Sequence, residues 1–408
     1  MSLSKRVSKN NSYVVTKQWL KNENFINNGN SKQVMARKKV AILTCGGTPA
    51  MSLSPTLKVK YNGPELINKF PSLETLADLE VDEVFSKDSS EMKPQDWQII
   101  TERAHHYVMR DDISGIVVIH GTDTMEDTLM AVALMIRNLN KPIVFTGTQV
   151  PAEQDMHHAE KHFYDSVLTA VNSGINDIVL CFSGDETSTF TNLYRASTAF
   201  KFSTHKYDAF RSWDGSIVAI VDGKFKFSPQ YNSHQYKITK PTEFPLLKTN
   251  LELNVGYANV VIGTDYGEQI ISNIITPREE VIPQDKVTPR NRGYILGTNT
   301  DGYDLLSHTR DAEAKATLKA LEAGLVVGVV SNDGSPVILA NGIDIQLREK
   351  GAVPLGRMNF RKALVKLSWV LGQTQDNEEA RRMLAYDYCG EIPPNSFDTE
   401  MKPFHHTD

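Results

Sequence analysis

From Lys39 onward the chain alternates between short, unbroken apolar runs and longer segments with helical spacing. The runs VAILTC (Val40 to Cys45), GIVVIH (Gly115 to His120), PIVFTG (Pro142 to Gly147), DIVLCFSG (Asp177 to Gly184) and SIVAIVDG (Ser216 to Gly223) are continuous rather than alternating. Strands of that kind are buried on both faces, as in a parallel sheet covered by helices above and below. Between them Met125, Leu129, Val132 and Ile136 fall on one helical stripe, with Thr124 and Asp127 spaced as a capping box at its start. PQDWQIITERAHHYVM predicts a helix before GIVVIH, and HFYDSVLTAVNSG another before DIVLCFSG. The pattern is β-α-β, and it predicts a larger N-terminal α/β domain over residues 39–226 with a doubly wound, mostly parallel sheet.

Periodicity is lost over residues 227–250, where Pro, Asn and Ser accumulate, so this stretch reads as a linker. Beyond it YANVVIGTD, RGYILGTNTDG and GLVVGVVSNDG read as strands, with DAEAKATLKALEAG and FRKALVKLSWVLGQ as helices. A smaller C-terminal α/β domain is expected over 251–408. The length of 408 residues suits two domains, and 40% hydrophobic with 23% charged residues is the balance of an ordinary globular chain. No apolar run reaches membrane-spanning length and no secretory signal opens the sequence, which predicts a cytoplasmic protein. Cys45, Cys181 and Cys389 have no metal or redox spacing, so neither a disulfide framework nor a metal site is expected.

Charge is distributed unevenly. Residues 1–39 carry nine Lys/Arg against Glu23, within a chain of net charge −5, so the body is acidic and does not read as a nucleic-acid binder. Residues 1–38 are also polar and poor in apolar side chains, and are expected to form a basic N-terminal extension without a packed core.

Chemistry is expected where loops leave the carboxyl ends of the strands. Two such loops, TCGGTPA (Thr44 to Ala50) and HGTDTMEDT (His120 to Thr128), set threonine beside glycine at the end of a buried run. Paired glycines let a ligand approach the backbone, and helix-start amides face an anion. The absence of GxGxxG and GxxxxGK[ST] leaves nucleotide binding unsupported. Taken one at a time, these loops are equally an ordinary turn and a helix N-cap.

The ordered set TCGGTPA, SKDSSEMKPQDW, VVIHGTDTMEDT, KPIVFTGTQVP, FKFSTHKYDAFRS and ALVKLSWVLGQ resembles the bacterial and archaeal L-asparaginases, most closely the cytoplasmic type I branch. The resemblance is strong over Lys39 to Gly223 and again over Gly356 to Pro393. It implies a homo-oligomeric amidohydrolase, dimer or tetramer, that converts L-asparagine, and possibly L-glutamine, to the acid and ammonia without metal or other cofactor. On the family's pattern the two site threonines are Thr48 and Thr122, joined by Asp123 and by Lys201, seven residues before Asp208 of DAF; Lys206 is nearer but out of register. Tyr61 follows Thr48 across a loop that would carry it to the first threonine, a spacing closer to the secreted type II branch. Asp88, Ser89 and Ser90 align with the substrate loop, and Asp123 is set to meet the substrate ammonium.

A threonine hydroxyl of ordinary acidity needs a base to attack an amide, which is the part Asp123 and Lys201 would play. In the second domain the family donates a polar residue from a G-x-G-N loop, whereas GTNTDG here aligns poorly and offers Asn299 or Asp301; residues 250–292 have no family counterpart. Two other readings stand beside the asparaginase one. The ammonia-releasing subunit of archaeal glutamyl-tRNA amidotransferase shares the DAFRS segment, but it has a folded domain ahead of its first catalytic strand, for which 38 polar residues are too few. A non-catalytic amino-acid sensor would keep the pocket and lose the second-domain contribution.

Overall fold

The computed structural model of the chain describes residues 37–51, 60–232, 245–259, 270, 291–298, 311–332, 334, 337 and 343–392. The expected extension, except for residues 37 and 38, lies outside them, as do Asn299, Asp301 and most of 260–290. Eleven strands come first: β1 (Lys39–Gly46), β2 (Asp78–Lys87), β3 (Ile113–Ile119), β4 (Ile136–Arg137), β5 (Ile143–Thr146), β6 (Ile178–Ser183), β7 (Thr191–Arg195), β8 (Ala199–Lys201), β9 (Phe210–Ser212), β10 (Ala219–Val221) and β11 (Phe225–Phe227). Eight of them form one sheet in the order β2-β1-β3-β5-β6-β7-β10-β11, parallel from β2 to β6 and antiparallel from there on. SIVAIVDG, expected as another parallel strand, is corrected here: β10 pairs antiparallel with β7, because β7 turns straight back from β6 and reverses the direction of pairing.

The unbroken apolar runs are explained by two cores, one on each side of this sheet. Ala41, Leu43, Ile116, Val118, Ile143, Phe145 and Leu180 face one core, while Val40, Ile42, Val117, Ile119, Val144 and Val179 face the other. Helices α1 (Gly63–Ile67) and α4 (Met156–Asn172) cover the second face; α2 (Pro94–Val108) and α3 (Met125–Met135) cover the first. β2 was not foreseen, since DLEVDEVFSK is polar at most positions; it is an edge strand whose acids Glu80 and Asp82 meet Arg110 and Arg103.

A smaller, wholly parallel sheet follows, made of β13 (Val255–Asn259), β14 (Gly293–Thr298), β15 (Val326–Ser331) and β16 (Val353–Pro354), after β12 (Leu246–Leu247) has paired with β4. The two sheets share α3. Met125, Leu129 and Val132 pack toward the large sheet, while Met130, Ala131, Leu134 and Met135 pack with Ile295, Val326, Trp369 and Val370 of the C-terminal half. The single stripe expected for α3 is therefore corrected to burial nearly all round, and Ile136 lies in β4 rather than in the helix. Contacts group Arg37–Asp408 into one unit. No helix among the described residues is long and apolar enough to cross a membrane.

Buried histidines tie the ends of β5 and β6 together. His162 Nδ1 donates to Gly147 O at 2.7 Å and its Nε2 lies 2.7 Å from Ser183 Oγ. Ser183 meets Ser188 at 2.6 Å, and Ser188 meets His158 Nδ1 at 2.7 Å, under the ring of Tyr207. Burial pushes His158 and His120 down to about 4 and His162 well below the ordinary histidine range.

Two outcomes follow from this packing. Leu134→Ala opens a cavity between the two sheets and should cost ~2–5 kcal/mol in denaturant unfolding; a loss below about 1 kcal/mol would mean that α3 is not a shared core element. The unfolded chain takes up protons near pH 6.5 that the folded histidines refuse, so their contribution is complete above that pH and is lost as pH falls toward 4. Each buried histidine should contribute on the order of 1.4 kcal/mol per pH unit to the stability lost between pH 7 and pH 5. His158→Gln should therefore lose less stability than wild type over that interval, and an unchanged loss in this variant would rule the account out.

Candidate active site

β1 and β3 lie side by side in register, Thr44 opposite Ile119, so their carboxyl ends open at one edge. The loops leaving them touch backbone to backbone. Gly46 and Gly47 both have positive φ, 77° and 81°, and a Cβ on Gly47 would run into Gly121 Cα and N, while one on Gly46 would meet Lys87 N and O. Only glycine fits that approach. The chain then turns into a short 3-10 helix at Thr48–Ala50, in which Thr48 is half-buried.

On the β3 side His120 is buried and neutral. Its Nδ1 donates to Gly121 O at 2.7 Å and its Nε2 sits 3.1 Å from Thr128 Oγ1, which fixes the peptide ahead of Thr122. Thr122 is buried. From the far side β8, paired antiparallel with β9, brings Lys201, whose side chain is 9% exposed. Its Nζ lies 2.7 Å from Thr122 Oγ1 and 2.7 Å from Asp123 Oδ1; Asp123 is 63% exposed.

The third wall is the turn at Asp88–Ser90. Ser89 is buried, and its Oγ and Cβ occupy the space where a Cβ of Gly121 would stand. Asp88 caps its own turn by accepting from Ser90 N at 2.8 Å, and Ser90 is exposed. Thr124 Oγ1 donates to Ser89 O at 2.8 Å, joining this wall to the start of α3. The capping box expected from Thr124 and Asp127 is thereby corrected: Thr124 occupies the N-cap position, but its hydroxyl goes to Ser89, and Asp127 is taken by Arg361.

The structure thus brings Lys201 into direct contact with Thr122 and Asp123, and packs Ser89 and Gly47, the residue before Thr48, against the neighbouring Gly121. Tyr61 is placed differently. Its hydroxyl donates to Glu153 rather than to Thr48, and Lys60 Nζ joins that carboxylate at 2.7 Å, while Lys69 stands over its ring. These cationic and phenolic partners hold the Glu153 carboxyl below the usual carboxylate range. Lys206 goes to Glu186.

Sequence reasoning missed Glu126 and Arg361. Buried Glu126 accepts from Lys201 N at 2.9 Å and pairs with Arg361 Nε at 2.9 Å; burial pushes its carboxyl up, and Arg361 opposes that shift. Neither residue has a local signal, because each acts through a partner distant in the chain. Among the described residues no group of three or more His, Cys, Asp or Glu is placed to hold a metal.

Residues 39–232 match the family model "Asparaginase, N-terminal". The D-type subunit of glutamyl-tRNA(Gln) amidotransferase from Thermococcus kodakarensis is 28% identical over 383 residues, covering 91% of this chain and 81% of that protein. Its counterpart from Pyrococcus horikoshii is 29% identical over 372 residues, covering 89% and 79%. Among solved structures, L-asparaginase I from Vibrio cholerae superposes with a TM-score of 0.72 at 22% identity, covering 88% of this chain and 99% of that one. The thermostable L-asparaginase from Thermococcus kodakarensis gives 0.70 at 23%, covering 87% and 99%. A larger mostly parallel sheet followed by a smaller α/β unit is the fold these share with the present chain. Over residues 39–232, then, the chain carries an asparaginase-type N-terminal domain.

Proposed function

We propose that this protein hydrolyses the side-chain amide of L-asparagine to L-aspartate and ammonia. The observation that carries the reading is the placement of Lys201 Nζ, 2.7 Å from both Thr122 Oγ1 and Asp123 Oδ1, at the open edge of β1 and β3. In this reading Thr48 Oγ attacks the amide carbon and forms an ester as the C–N bond breaks. The threonine proton leaves with the nitrogen as ammonia. Thr122, Lys201 and Asp123 activate the water that cleaves the ester, returning a proton to Thr48. Backbone N–H groups beside Thr122 face the developing oxyanion. Ser89, with Asp88 and Ser90, takes the α-carboxylate and neighbouring amine, and Asp123 meets the ammonium. Tyr61, bound to Glu153, reaches Thr48 only by exchanging that partner.

A second reading has its own support, since the curated relatives named above are amidotransferase subunits. It makes glutamine the amide and passes the ammonia on to a partner. Asparagine and glutamine differ by one methylene, worth only ~1–3 kcal/mol of discrimination. Co-elution with tRNA in gel filtration, together with a preference for L-Gln, would favour it.

Ammonia release from L-Asn, L-Gln and D-Asn is the direct measurement. Wild type should prefer L-Asn, and Thr48→Ala, Thr122→Ala and Lys201→Met should each lose at least ~100-fold in kcat/KM. Release from none of the three amides would end the enzymatic reading, and full activity in any variant would remove that residue from the mechanism.

A further inference from the structure

The helix Phe360–Gln373 begins at Asn359, whose side chain accepts from Lys362 N, and its first turn points at the start of α3. Arg361 there is 234 residues beyond Asp127 in sequence, yet its guanidinium is occupied on three sides. Nε meets Glu126 Oε1 at 2.9 Å and Asp127 Oδ1 at 3.0 Å, while Nη2 donates to Asp123 O at 3.1 Å and to the Asp127 carboxylate. The other oxygen of Glu126 accepts from Lys201 N. One side chain from the C-terminal half therefore grips the backbone of Asp123 directly and that of Lys201 through Glu126.

We infer that Arg361 is a positioning residue of the active site, setting the distance between the Lys201 amine and the Thr122 and Asp123 side chains through the Glu126 bridge. The inference rests on the reading of those three residues as the reacting group. Arginine is the residue type this geometry requires. A planar fork satisfies a carbonyl and two carboxylates in different directions at once, which a single ammonium does poorly.

Charge argues the same way. Glu126 is buried and Asp127 partly buried, and they face Arg361 and the buried Lys362, so two anions meet two cations at the start of α3. Lys362 Nζ donates to Ala196 O at 2.6 Å, holding the chain just ahead of β8, the strand that ends in Lys201. Consecutive residues of one helical turn thus fasten the two segments whose side chains meet in the site. Removing Arg361 leaves Glu126 free to tilt, and Lys201 moves with it.

The test uses the full chain with Arg361→Lys and Arg361→Gln, reading kcat and KM for ammonia release, the thermal midpoint, and amide hydrogen exchange by segment. Displacement of a reacting group by about 1 Å costs up to ~100-fold. Arg361→Gln should accordingly lose at least ~10-fold in kcat with KM within about 3-fold, and Arg361→Lys should fall between it and wild type. Exchange should rise over 122–127 and 199–203 while β6 keeps its protection. Unchanged kcat with unchanged exchange in those segments would overturn the inference. So would a loss of activity accompanied by a uniform rise in exchange and a large fall in midpoint, since that is general destabilisation. If wild type releases no ammonia, the functional reading fails by itself, and the segment-specific exchange still decides whether Arg361 holds Lys201 in place.

Discussion

Everything at the candidate site depends on two loops passing closer together than side chains permit. Neighbouring strands in a sheet run about 4.8 Å apart, and β1 and β3 stay paired as far as Thr44 and Ile119 before the chains turn away. Gly47 against Gly121, and Gly46 against Lys87, let the turns happen at contact distance. Thr48 and Thr122 can then follow within two and three residues of the strand ends. A Cβ on Gly47 would force the two loops apart, and one on Gly46 would force the end of β1 away from β2.

Most of the large sheet was legible because its physics is local. A run such as Val40 to Cys45 or Gly115 to His120 has to be hidden from water on both sides, and a helical segment before or after it is the simplest cover. β2 and β7 were not legible, for different reasons. β2 is half-exposed at an edge and keeps the charges a solvated strand tolerates; β7 is a short return strand, Thr191–Arg195, with no unbroken apolar run. The all-round burial of α3 was hidden too, because a helix between two sheets has no polar face for periodicity to reveal.

The site itself was legible in part. That Thr122, Asp123 and Lys201 meet was expected only from the order of motifs and the register of Lys201 to Asp208, since no spacing rule joins residues 79 apart. The partner of the Tyr61 hydroxyl was not legible. Tyr61 lies at the expected spacing, but its hydroxyl finds a carboxylate on the loop after β5, which only the folded arrangement shows. The same holds for the ions behind Asp123. Glu126 reads as an ordinary helix-start acid and Arg361 as a surface arginine until the fold puts them together. Long-range ion pairs leave no periodic trace.

The shared position of α3 bears on how this protein can change over time. An interior packed at near-crystalline density passes a volume change on to its neighbours, and α3 has Phe145 and Leu180 in the core on one side and Trp369 and Val370 in the core on the other. A substitution that suits one core is felt in the other within a single helical turn. The two halves of the chain are thus expected to accumulate changes in matched sets, as one lineage-wide unit, and a half taken from a distant relative would meet a helix shaped for a different partner.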